Sequence, residues 1–288
     1  MSIAISIINY KGGVGKTTLT LNLSYALSSI FQKSVLMIDL DPQCSLSISA
    51  VKDTEWVEHI ENKGSIISVI EAFYKGKLSF DPDWLISIKQ SKKTYLLPGH
   101  LNLPEYEMKL VYQKPLYMSI EEFESQRFFI LQKYLKSLKD EFDFIFFDCP
   151  PNVYVLSRNA ILASDFYVIP TIPDFVSSFG IPFIHKHIEE LIHSWYGKTK
   201  FLGIILNKVR TQRQNLIKEF QIEYEKISEK FPNKVFETFI SDRILISSIM
   251  RRKINIFNES SKKYQPLQQE FRAFAEEIMR RIEANQKK

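Results

Sequence analysis

The chain has 288 residues, 45% hydrophobic and 25% charged, enough for one large α/β domain with its own core. Its two cysteines, Cys44 and Cys149, have no paired spacing, which excludes a disulfide framework and indicates a reducing, cytoplasmic setting. No secretory signal opens the chain, and no uncharged apolar run nears the roughly 18 residues of a membrane span.

The net charge of +5 is uneven. Residues 1–200 hold 20 Lys+Arg against 22 Asp+Glu, and residues 201–288 hold 18 against 11. That basic excess points to a polyanion partner, the bland alternative being scattered solvated lysines.

The predicted elements alternate along the chain. AISIIN (4–9) reads as a strand, and TTLTLNLSYALSSI (17–30) as a helix with Leu19, Leu23 and Leu27 on one face. SVLMIDL (34–40) and TYLLP (94–98) read as strands, and residues 121–141 as one helix. FDFIFFD (142–148), FYVIP (166–170), FLGIILN (201–207) and VFETFI (235–240) read as further strands, with helices between. Strands apolar on both faces and separated by helix-length segments predict a doubly wound α/β fold: a mostly parallel sheet with helices on both faces. Residues 50–120 read as a peripheral helical segment plus one strand. Residues 266–285 read as an amphipathic helix with Pro266 in its first turn and Leu267, Phe271, Phe274, Ile278 and Ile282 at helical spacing. Residues 1–288 are expected to form a single domain.

GGVGKT (12–17) lies between the first strand and the first helix. It is close to the phosphate-loop pattern Gly-x-x-x-x-Gly-Lys-Ser/Thr, with Tyr10 where the first glycine would stand. Glycines let backbone N–H groups converge on phosphate oxygens. Gly12, Gly13, Val14, Gly15, Lys16, Thr17 and Thr18 are therefore expected to bind nucleotide. Lys16 reaches the β and γ phosphates, and the Thr17 hydroxyl is a Mg²⁺ ligand.

Lys11 precedes the first glycine, and KGGVGKTT (11–18) resembles the deviant Walker A signature. Through that motif the chain resembles the MinD/ParA superfamily of P-loop ATPases, and most closely the ParA/Soj-type partition ATPases. The resemblance implies ATP and Mg²⁺ as cofactors and an ATP-dependent homodimer in which Lys11 reaches the partner's phosphates. It makes Lys11, Lys16 and Asp41 the catalytic residues. MIDLDPQ (37–43) looks like the family's Asp-x-Asp-Pro-Gln element, which implies that Asp41 positions the attacking water and Asp39 supports the Mg²⁺ shell. FIFFDCPPN (144–152) looks like a Walker B strand, with Asp148 holding Mg²⁺ through a coordinated water. The stretch beyond it, 149–170, is also similar, including Asn159, Asp165 and Pro170. Asn207 stands where relatives place an adenine-reading residue; a strand-terminating turn residue is the equal alternative.

The residues discriminate among family members. Both cysteines lie inside nucleotide motifs, which disfavours a cluster-carrying relative. The last 20 residues lack tyrosine, unlike a tyrosine-kinase tail. The terminal helix mixes Glu270, Glu276, Glu277 and Glu283 with Arg272, Arg280 and Arg281, so it is expected to dock on the core, and no membrane contact is expected.

Partition ATPases bind DNA non-specifically through basic side chains, for which phosphate contacts suffice. Arg213 falls on a family match. Leu245 stands where the family has a DNA-contacting arginine, and Arg243, Arg251, Arg252 and Lys253 are the nearby substitutes. With the first strand almost at the start of the sequence, operator reading through an N-terminal helix-turn-helix is not expected. The resemblance implies a nucleoid-associated protein that segregates a plasmid or chromosome and is stimulated by a centromere-binding, ParB-like partner. The alternatives are a MinD-like positioning ATPase acting on a membrane or protein assembly, and a small-molecule enzyme similar to dethiobiotin synthetase.

Overall fold

The computed structural model describes residues 2–138, 141–212 and 215–287. The chain runs β1 (Ile3–Ile7), α1 (Lys16–Ser29), β2 (Val35–Asp39), α2 (Ser45–Ala50), α3 (Asp53–Asn62), α4 (Ile66–Tyr74), β3 (Ile86–Ser87) and β4 (Thr94–Leu97). Next come α5 (Leu103–Tyr112), α6 (Ile120–Gln126), α7 (Ile130–Ser137), β5 (Phe144–Asp148), α8 (Val155–Ala163), β6 (Phe166–Thr171), α9 (Phe175–Ser194) and β7 (Lys200–Val209). The last elements are β8 (Thr211–Gln212), β9 (Asn215–Leu216), α10 (Lys218–Lys230), β10 (Val235–Ser241), α11 (Ile244–Arg252) and α12 (Gln265–Gln286).

Eight strands form one sheet in the order β10-β7-β6-β1-β5-β2-β4-β3, while β8 and β9 pair separately. All the pairings of the main sheet are parallel except that of β3 with β4. Alternate strand residues feed two cores. Ala4, Leu36, Ile38, Ile145 and Phe147 face α4, α5 and α7–α10; Ile5, Ile7, Val35, Phe144 and Phe146 face α1 and α12. The doubly wound α/β reading therefore holds, and burial on both sides explains the near-continuous apolar strands.

The face of α1 read from the sequence holds, with Leu19, Leu23 and Leu27 meeting α12, and Leu21 and Tyr25 add a second covered side against α2 and α3. Two readings are corrected. The segment 121–141 is broken into α6 and α7. At the break the Asn159 side chain accepts from the N–H groups of Ile130 (2.9 Å) and Leu131 (3.3 Å) and donates to the Arg127 carbonyl. A capping group on a distant helix stops one helix and starts the next. Region 50–120 carries a second strand, the two-residue β3, besides the expected one.

The terminal helix docks on the core, as its charge pattern implies: Leu267, Phe271, Phe274, Ile278 and Ile282 are buried. Its acids do more than solvate it. β10 is an edge strand, and the buried Glu277 accepts from the N–H groups of Glu237 and Thr238 (both 2.9 Å). Glu270 accepts from Ser241 N–H and hydroxyl. Arg281 pairs with Glu277 at 2.8 Å and donates to the Val235 carbonyl at 2.6 Å. Burial alone would raise the Glu277 carboxyl, but the Thr238 and Glu237 N–H groups and the Arg281 guanidinium outweigh it and hold it below the usual range. Helix α12 thus closes an open sheet edge. Glu277→Ala leaves two part-buried N–H groups and a largely buried guanidinium without this acceptor, and is expected to lower stability by about 3 kcal/mol. Urea unfolding measures this, and an unchanged midpoint would show that the edge needs no such closure.

Candidate functional site

The site lies at the carboxyl ends of β1, β2 and β5, where open α/β sheets place ligands. The loop from Asn9 to Gly15 is held from below. Asn9 donates to the Pro170 carbonyl at 2.7 Å and accepts from Lys11 N–H at 2.8 Å. Gly13 and Gly15 have φ of 74° and 90°, the left-handed region that glycine enters most easily. A Cβ on Gly15 would stand 2.2 Å from Asn207 Nδ2. The first turn of α1 opens on this loop, so its N–H groups lack helical acceptors and offer an anion site. Lys16 is buried beneath, its Nζ donating to the Asn9 carbonyl at 3.1 Å. Burial pushes the Lys16 ammonium down, partly countered by Asp148, Cys149 and Asp41.

Asn207, read equally as an adenine contact or as a strand-end turn residue, lies beneath the loop. It is buried, donates to the Val14 carbonyl at 2.7 Å and accepts from Lys208 N–H at 2.9 Å. Both ends of its amide are engaged under the loop, so it braces the turn.

Two carboxylates meet below the loop, because the register of β2 and β5 places Asp39 beside Asp148. Thr17 donates its hydroxyl to Asp148 Oδ2 at 2.7 Å, while the buried Asp148 Oδ1 has no hydrogen-bond partner. A buried carboxylate oxygen without a donor, beside a hydroxyl at the helix start, fits a hard divalent cation. Burial pushes the Asp148 carboxyl well up, and the Asp39 charge adds to it.

Asp39 is tied down more firmly than the motif shows. Its oxygens accept from Ser47 N–H (2.9 Å), Ser47 Oγ (2.6 Å) and Asp41 N–H (3.2 Å). These bonds fix the carboxylate to the turn that presents Asp41. Burial raises it to about 6.

Above the loop is a cleft of about 430 Å³, lined by Gly12, Gly13, Gly15, Lys16, Thr17 and Thr18 on one side. Asp41, Ser45 and Ser49 come from the β2–α2 segment, and Ile246, Ser247 and Met250 from α11. Lys208, left-handed at φ 53°, stands at the rim. The α11 residues and Lys208 carry no motif and were not legible in the sequence.

Lys11 points elsewhere. Its Nζ lies 2.6 Å from Asp174 Oδ2, with both side chains about one-third exposed (35% and 36%). Asp174 also caps α9 by accepting from Ser177 N–H. Burial would raise the Asp174 carboxyl, but Lys11 and the Ser177 donors hold it below the usual range. The Asp-x-x-Ser spacing at 174–177 is a visible cap signal, though nothing local ties it to Lys11.

The predicted basic residues divide. Arg213 lies outside the described residues. Arg251 and Arg252 are exposed at the carboxyl end of α11, favourable ground for cations. Arg243 pairs with Glu270 at 3.1 Å. Lys253 is a correction: only 18% of its side chain is exposed, and its ammonium is spent on Asp53 and two carbonyls. No helix among the described residues is long and apolar enough to cross a membrane.

The model of the AAA-domain family AAA_31 matches residues 2–204. An uncharacterized protein of Methanocaldococcus jannaschii is 31% identical, over 80% of this chain and 81% of its own. The Bacillus subtilis sporulation initiation inhibitor protein Soj is 27% identical, over 84% of this chain and 85% of its own. In fold, the chain is similar to McdA of Cyanothece in its ATP complex, with a TM-score of 0.77, 18% identity and 96% of each chain covered.

Proposed function

This chain belongs to that AAA-domain family, and from this premise we propose that it is a ParA/Soj-type ATPase that dimerises on ATP, binds DNA non-specifically and partitions a replicon. One observation carries the nucleotide part: Thr17 and the half-satisfied Asp148 meet beneath the loop of Gly12–Lys16. Mg²⁺–ATP, when bound, supplies the cleavable phosphoanhydride and the charge that these donors and carboxylates complement.

The chain's own groups divide the work. The loop N–H groups and Lys16 hold phosphate oxygens, and their fixed directions favour charge developing on the γ-phosphoryl. Thr17 and Asp148 hold the cation, directly and through water. Asp41, held by Asp39 through its own N–H, orients the attacking water. Lys11 leaves Asp174 and donates across the dimer, so the site is complete only when two copies meet.

Arg251 and Arg252 present free cations to DNA phosphates, and a dimer doubles them. A centromere-binding partner stimulates hydrolysis, which separates the copies and releases DNA. DNA binding is measured with ADP, ATP and a slowly hydrolysed analogue at two salt concentrations. Tight binding is expected only with ATP or the analogue. Arg251→Ala/Arg252→Ala is expected to weaken it and to lower the salt slope by about one per lost phosphate contact. An unchanged slope would remove this surface from the proposal. Dimerisation without DNA binding would favour the positioning-ATPase reading.

A further inference from the structure

We propose that Lys253 is a positioning residue, a clamp that joins the two walls of the nucleotide cleft; this rests on the nucleotide-binding reading above. The cleft is walled on one side by α2, through Ser45 and Ser49, and on another by α11, through Ile246, Ser247 and Met250. Lys253 follows the last residue of α11. Its Nζ donates to the carbonyls of Ile48 and Val51, both at 2.6 Å, and to Asp53 Oδ1 at 2.5 Å. These acceptors lie at the carboxyl end of α2 and the start of α3, where an ammonium meets the negative end of a helix and otherwise unpaired carbonyls. All three donors of the ammonium are used. The amino end of α2 follows the turn that carries Asp41, so one contact fixes both the wall and that turn relative to α11.

The backbone gives an independent sign. Lys253 is the C-cap of α11 in the left-handed region, at φ 55° and ψ 44°. Its N–H returns to the Met250 carbonyl, and Ile254 N–H to the Ile249 carbonyl. Glycine is the usual residue for such a turn, because a Cβ there is strained. At Lys253 that strained turn coincides with a side chain that reaches α2 and Asp53. The clamp therefore acts on nucleotide through geometry. It also fixes the direction in which the neighbouring Arg251 and Arg252 leave the helix.

Two variants separate this role from general stability. Lys253→Gly removes the ammonium but relieves the left-handed turn, and Lys253→Met removes the ammonium and keeps the strain. Affinity for Mg²⁺–ADP is measured by titration calorimetry alongside the melting temperature. Both variants are expected to lose about tenfold in affinity, within the scale of coupling carried through packed elements. Lys253→Gly is expected to melt no more than slightly below the unaltered chain, and Lys253→Met clearly below it. A merely structural lysine would move affinity and melting together. Affinity within twofold of the unaltered chain in both folded variants overturns the clamp. So does a loss confined to DNA binding, which would make Lys253 a direct phosphate contact. Failure of the unaltered chain to bind Mg²⁺–ADP would instead overturn the nucleotide reading, and the clamp with it.

Discussion

Gly15→Ala is expected to abolish measurable nucleotide binding and to destabilise the chain by about 2–5 kcal/mol. Two costs combine. A left-handed conformation costs a residue with a Cβ about 1–2 kcal/mol. The added methyl would also sit 2.2 Å from Asn207 Nδ2, and overpacking of this kind costs about 1–3 kcal/mol. Asn207 has no room to retreat, since it is buried and bonded at both ends, to Val14 and Lys208. Either the loop shifts or the brace breaks, and both move the N–H groups that hold phosphate. The double variant Gly15→Ala/Asn207→Ala tests the cause. With the amide gone the clash disappears, so the two changes should be less damaging together than their sum. Calorimetric titration with Mg²⁺–ADP and urea unfolding give both readings; full additivity would mean that the two residues do not oppose each other.

The second large effect is on pH. Asp39 is raised from 3.8 to about 6 by burial, and Asp148 well above its usual range by burial and by Asp39. The groups that face them are Lys16, Asp41, Cys149, Thr17 and Ser47. A raised carboxyl means that the folded chain holds a proton which the unfolded chain gives up. The stabilising contribution is therefore fully present below the unfolded value near 4 and is lost as pH rises through about 6. On the proposed function a divalent cation takes the place of that proton above this range, because ligating carboxylates must be ionised. Mg²⁺-dependent nucleotide affinity is therefore expected to be at least several-fold weaker at pH 5.5 than at 7.5, with Asp148→Asn removing most of the difference. Equal affinities at the two pH values would mean that no proton competes with the cation at this pair.

The parts that were legible in the sequence are those fixed by local pattern. The phosphate loop announces itself because glycines, lysine and threonine must occupy successive positions on one turn. The parallel strands announce themselves through unbroken apolar runs, which burial on both faces requires. What escaped was set by distant partners. Nothing near residue 128 signals that Asn159 will cut a helix there. Glu277 resembles any solvated helix acid until β10 arrives beside it. Lys253 sits in a basic run whose other members are exposed, and only the fold turns it inward. Asp39 is similar: a strand-end carboxylate that the fold also ties to Ser47, eight residues on.

Helix α12 has a consequence for the order in which the chain can fold. The apolar face of α1, with Leu19, Leu23, Ala26 and Leu27, is covered by Leu267, Phe271, Phe274 and Ile278. Yet α1 ends at Ser29 and α12 begins at Gln265, so nearly the whole described chain separates the two. During synthesis the nucleotide-loop helix must wait, with that face uncovered, until α12 has emerged from the ribosome. Contacts so remote in sequence slow folding and lengthen exposure to aggregation. Chains that stall before residue 265 should accordingly be the ones that chaperones retain.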